Sequence, residues 1–214
     1  MRFNQWLERM ERKFGKYAIS NLMMYIVASM AAVFVLDMLM PVNLTAYLIF
    51  NKAAILRGQL WRLVTFLFLP PNSSIVWILF SLYFYWMIGS ALENQWGSFR
   101  FNLYYLFGML GTIISGMITG YATNSYLNLS LFLGFALLYP DFQVNLFFFL
   151  PVRVKYLALI DAAGLLVSFV MGNASSRIAL AMALVNVLLF FGGSLIQRAQ
   201  SAYRRYKWKK SFWE

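Results

Sequence analysis

The chain contains no histidine and no cysteine. Without cysteine there are no disulfides and no thiolate metal sites. Without histidine the side chain best suited to proton transfer near neutral pH is missing. A Ser–His nucleophile, a His-ligated zinc site and a His-held haem are all excluded. Charge is scarce too: 12% of residues are Asp, Glu, Lys or Arg, against about 25% in a soluble domain. The sequence has no GxxxxGK[ST] phosphate loop, no GxGxxG turn, no HExxH helix, no repeat of 20 to 50 residues and no low-complexity segment. Neither a metal nor a cofactor is expected.

What is present is apolar. Hydrophobic residues make up 62% of the 214 positions, and this reads as one membrane domain. The net charge of +11 is assigned to topology and lipid contact, with no role in binding nucleic acid.

Residues 1 to 16 place Phe3, Trp6, Leu7, Met10 and Phe14 at helical spacing among charged residues, which predicts an amphipathic helix on the bilayer surface. Six apolar runs follow, at about 18–40, 73–93, 100–121, 124–139, 156–172 and 177–196. Each approaches the roughly 20 residues needed to cross the hydrocarbon, although the fourth and fifth are short. Residues 41–60 are too polar to span and predict an embedded interfacial loop between the first two spans. The expected architecture is all-α: a transmembrane core over 17–197 and a basic, aromatic tail over 198–214. With six spans both ends share a side, and 14 of the 18 Lys and Arg lie there. That bias predicts cytoplasmic termini in an inner (plasma) membrane. The amphipathic helix and the tail, with Tyr203, Tyr206, Trp208, Phe212 and Trp213 among its basic residues, are expected to contact anionic lipid.

Ionisable groups inside spans are candidate sites. Asp37 sits near a span end and can reach water. Glu93 follows Gly89 by four residues, so both share a helix face: the glycine admits a neighbour while the carboxylate reaches loop donors. Asp161, in YLALIDAAGLL, is the most deeply placed and leaves open a transporter or proton path. Gly108, Thr112, Gly116 and Gly120 recur every four residues along the third span, a stripe expected to pack helices closely. Ser130, in LNLSLFLG, would need a base to act as a nucleophile, and no histidine exists to serve.

GQLWRLVTFLF, followed some thirty residues later by GSALENQWGS, resembles the rhomboid superfamily. The likeness covers about residues 20–197. It rests on Trp61 and Arg62 in the embedded loop and on the GxxxE pair Gly89 and Glu93 closing the second span. Active rhomboids use a serine in a GxSG turn and a histidine in the last span. Here the turn reads NLSL with Ser130, and RIALAMALVNVLLFFGG has no histidine. The mouth of the second span, where oxyanion contacts would be expected, carries Pro70, Pro71 and Asn72, with Trp77 and Ser81 beyond it. The resemblance therefore implies a derlin-like pseudoprotease that binds transmembrane segments of other membrane proteins for recruitment or quality control, entering at Pro70, Pro71, Asn72, Trp77 and Ser81. It also admits a membrane protease as a downstream partner. A residual serine protease using Ser130 with an atypical base, and a transporter using Asp161, are the rival readings.

Overall fold

The computed structural model describes residues 2–41, 43–71, 74–146 and 150–210. Helix α1 (Arg2–Phe14) buries Leu7 and leaves Trp6 and Phe14 partly exposed. Its Glu11 carboxylate pairs with Arg100 Nε at 2.9 Å, which sets α1 beside the start of α7 (Ser98–Thr119). A 3₁₀ turn at Gly15–Tyr17 and Asn21 at φ 56° break the chain before α2 (Leu22–Leu39). Asn is among the few residues that tolerate this left-handed backbone.

The embedded segment is built from short pieces: α3 (Leu44–Leu48), β1 (Phe50–Asn51), α4 (Lys52–Leu56), α5 (Arg62–Thr65) and a 3₁₀ turn at Phe66–Phe68. Strand β1 pairs antiparallel with β2 (Tyr121–Ala122), which lies just after α7. Helices α6 (Ile75–Trp96), α8 (Ser125–Leu138), α9 (Val154–Met171) and α10 (Ala174–Lys210) complete the bundle. Among the described residues five helical stretches are long and apolar enough to cross a membrane: α2, α6, α7, α9 and the Ala174–Gly192 part of α10. Against the expected six, α8 is apolar but has only 14 residues, a rise of about 21 Å.

Helix α8 nevertheless forms the centre. Leu127, Asn128, Ser130, Leu131, Phe132, Gly134, Phe135 and Ala136 are all buried, so both of its faces meet protein. It contacts α6, α7, α9 and α10, and α7 packs most extensively on α10. Asn124, just before α8, donates from Nδ2 to Leu67 O at 3.2 Å and Leu69 O at 2.9 Å, ahead of α6. Tyr139, just after α8, donates to Gln95 Oε1 at 3.2 Å in the last turn of α6. Side chains flanking α8 thus reach the chain at both ends of α6. By contrast α9 is the least buried span.

The all-α expectation is corrected at two short sheets, the β1–β2 pairing above and a second one. Strands β3 (Gln143–Leu146) and β4 (Leu150–Arg153) form a hairpin, pairing Gln143 with Arg153 and Val144 with Val152. In β3 the polar Gln143 and Asn145 alternate with Val144 and Leu146, a period-2 pattern that suits a ladder, whereas β4 does not alternate. A second difference concerns residues 198–210, which continue α10 as helix.

Candidate functional site

Helix α3 is one turn long, so the carbonyls of Ala46, Tyr47, Leu48 and the C-cap residue Ile49 have no intrahelical partner. In a bilayer such groups must be satisfied by the protein. All four are. Arg62 Nη1 donates to Ala46 O at 2.9 Å and Ile49 O at 2.8 Å. Trp61 Nε1 donates to Tyr47 O at 3.4 Å, and Thr65 Oγ1 to Leu48 O at 2.9 Å. The turn of α5 brings positions 61, 62 and 65 to one side. Gln59 Oε1 accepts Arg62 Nε at 2.7 Å and fixes the guanidinium plane. Arg62 is 7% exposed while Trp61 is 51% exposed. The planar fork of arginine suits a row of carbonyls in a way lysine does not.

Glu93 is buried at the other end of α6. Its Oε1 accepts the Asn21 backbone N–H at 2.7 Å and the Ser98 hydroxyl at 2.6 Å. A β-carbon on Gly89, one turn earlier, would run into Met23 of α2. The glycine and the glutamate therefore act on the same neighbour: one lets α2 approach, the other holds its start. Along α7, Gly108 faces Leu127 and Asn186, and Gly116 faces Phe50 of the embedded segment. Thr112 donates to Gly108 O at 2.9 Å. The stripe thus receives side chains from three different elements. Gly120 does not belong to it. It caps α7 at φ 92° with nothing near its missing side chain. Its role is backbone conformation, which the four-residue spacing could not distinguish from packing.

A cavity of about 440 Å³ opens where α2, α3 and the start of α6 meet. Phe34, Met38, Pro70, Pro71 and Ile75 line it, with Asp37 and Thr45 as its polar groups. The Asp37 carboxylate accepts Thr45 N and Thr45 Oγ1, both at 3.1 Å. The structure thus brings Pro70 and Pro71 together at a cleft. Trp77 is half exposed and Ser81 partly buried, both further along α6 and outside the cavity lining. Asn72 lies outside the described residues.

Ser130 is fully buried. Its hydroxyl donates to Leu127 O at 2.7 Å, and its own carbonyl accepts Tyr104 OH at 2.7 Å. The hydroxyl proton is committed to the preceding turn, so activation would require breaking that bond as well as finding a base. The polar group that α10 turns into the core is Asn186, whose Nδ2 donates to Tyr104 O at 3.4 Å. Both Asn128 amide atoms and the Tyr105 hydroxyl are buried without a hydrogen-bond partner among the described residues. Among the described residues the hydrogen bonds of Ser130 run to Leu127 and Tyr104.

Arg62, Trp61 and Thr65 hold an embedded loop, Gly89 and Glu93 tie the second span to the first, and a short helix carries a buried serine at the centre. A family model matches residues 18–202, and its description is Der1-like family. The chain belongs to the Der1-like family. Der1-like proteins are derlins, rhomboid-like pseudoproteases that are generally inactive and serve in membrane-protein quality control. As a Der1-like chain with several apolar helices, this is a multi-pass membrane protein. No curated protein sequence matches it.

Sequence reasoning missed Thr65, Asn124 and Asn186. All three are uncharged, and in a sequence it is the ionisable groups inside spans that stand out as candidate sites. Thr65 was visible as the residue three places after Arg62, one helical turn on.

Proposed function

We propose that this Der1-like chain binds single transmembrane segments of other membrane proteins at the cleft before α6 and recruits or retains them without hydrolysis. The observation that carries this reading is the 440 Å³ cavity lined mainly by apolar side chains at the junction of α2, α3 and α6, beside a loop whose Ala46, Tyr47, Leu48 and Ile49 carbonyls are held by side chains. A segment leaving lipid meets there an apolar wall with Asp37 and Thr45 as polar anchors. Pro70 and Pro71 add no backbone donors and restrict φ, so they keep the wall rigid.

In this reading α8 counts as the sixth crossing. It is short because the bundle is thin at its centre, and a thinned bilayer lowers the cost of moving a weakly apolar helix. The charge bias supports cytoplasmic termini. The amphipathic α1 and the basic tail hold the chain to anionic lipid, and a membrane protease receiving the bound segments is the natural next partner. Pro70 and Pro71 form the entrance, Trp77 and Ser81 lie on the approach to it further along α6, and Trp61, Arg62, Gly89 and Glu93 maintain it.

The test is photo-crosslinking in cells from a probe at position 77. The reading expects intact membrane proteins with apolar single spans in the adducts. Adducts to lipid alone would overturn it.

A further inference from the structure

Asp161 is the eighth residue of the 18-residue α9, about 10 Å along the axis from one end and about 15 Å from the other. A short aspartate side chain does not reach the interface from that depth. The residue is exposed, and no hydrogen bond or ion pair to it is present among the described residues. Helix α9 is the least buried span, with Leu159, Ile160, Leu166, Val167, Phe169 and Val170 exposed to the bilayer. A lone carboxylate on a lipid-facing surface at mid-depth is costly unless it is paired.

Among the described residues nothing is placed to pair it. The described spans carry only Arg100, Lys155 and Arg177 as basic residues, each within the first four positions of its helix. A second copy of this chain would bring the same set and a second aspartate, so self-association does not neutralise the site. Gly164, one turn from Asp161 on the same side, has open space where its side chain would be. A partner helix can therefore approach α9 closely at that level.

We infer that the outward face of α9 around Asp161 docks a transmembrane helix of another protein that carries a lysine or arginine near mid-depth. This rests on the reading that the chain binds transmembrane segments, and it adds the chemical feature that selects them. The carboxylate replaces the hydration that a basic residue loses inside a bilayer, while Gly164 gives the two backbones room.

The experiment reconstitutes the full chain, with a photo-crosslinker at position 168, into lipid vesicles with single-span polyleucine reporters. Their central residue is Lys, Leu or Glu. The Lys reporter is expected to crosslink at least several-fold more than the Leu reporter. Asp161→Leu abolishes that preference, and Asp161→Lys transfers it to the Glu reporter. Thermal unfolding in detergent checks that each variant is folded. Because Asp161 has no partner among the described residues, both are expected to melt like the parent. Equal crosslinking of Lys and Leu reporters, or a Lys preference that survives Asp161→Leu, overturns the inference. A parallel probe at position 77 separates the two ideas. Reporters captured at 77 without a Lys preference at 168 refute only the role of Asp161. No capture at either position removes the client-binding reading itself.

Discussion

The carboxylate of Glu93 holds the backbone N–H of Asn21 at 2.7 Å, so the last turn of α6 fixes the residue that starts α2. Seventy-two positions separate the two in sequence. Glu93→Ala leaves a partly buried N–H and the Ser98 hydroxyl without their acceptor. Each such charge-assisted bond contributes about 1.5–3 kcal/mol. We expect a loss of about 2–4 kcal/mol in detergent unfolding, and a smaller loss of about 1 kcal/mol for Ser98→Ala. Unchanged melting of Glu93→Ala would show that the tether is not structural.

Arg62 and Trp61 are adjacent in sequence but unequal in burial. Arg62→Lys removes the Nε donor to Gln59 and the rigid plane that aims Nη1 at two carbonyls, and lysine is no substitute at such a site. An expected loss of about 2–3 kcal/mol accompanies faster proteolysis within residues 44–68. Trp61→Phe gives up a single long hydrogen bond at an exposed position, and its expected cost is below about 1 kcal/mol. Limited proteolysis with thermal melting distinguishes the two. Equal effects would contradict the assignment of Arg62 as the main staple.

Gly89 and Gly120 are both intolerant of a side chain, for different reasons. Gly89→Ala forces Met23 aside and costs about 1–3 kcal/mol by overpacking. Gly120→Ala meets no atom, and its cost of about 1–2 kcal/mol comes from the left-handed backbone. A double-mutant cycle with Met23→Ala tells them apart. Coupling is expected for Gly89→Ala and absent for Gly120→Ala.

Outside the bundle, Asp141 accepts a hydrogen bond from Lys155 Nζ at 2.7 Å, with Arg153 at 3.6 Å. The Lys155 bond and charge, with a smaller effect of Arg153, hold its carboxyl below the usual value of 3.8. The folded state therefore binds this proton more weakly than the unfolded chain. The pair's stabilisation is fully present above the unfolded pKa and is lost as pH falls through the lowered folded value. Carboxyl-carbon NMR titration should place the Asp141 midpoint below 3.8, and Lys155→Ala should move it up. A midpoint that does not respond to Lys155→Ala would rule the pair out as the cause.

Much of this arrangement was legible in the residues. The apolar runs gave the positions of α2, α6, α7 and α9 to within a few residues, because span length and hydropathy depend on composition alone. The small polar clusters did not yield as easily. Residues 143–153 lie in a stretch rich in Phe and Leu, where a hairpin and a buried loop have the same composition. The four carbonyls of Ala46–Ile49 could not be seen as one site, since a backbone acceptor leaves no mark in a sequence. Asn124 bonds Leu67 and Leu69 across more than fifty positions, and only the folded chain brings them together. Asp161 stood out as an ionisable residue in a span, but its outward direction needed the packing of α9.

Binding without cleavage is the property that separates a pseudoprotease from a protease. The direct measurement is to co-reconstitute the chain with a single-span helix carrying a fluorophore at each end, and to follow association and the size of the labelled product together. We predict association with the chain and both labels remaining on one polypeptide, identically for the parent and for Ser130→Ala. Separation of the labels that Ser130→Ala abolishes would contradict the account by restoring a protease. Failure of any helix to associate would contradict it by emptying the cleft of its function.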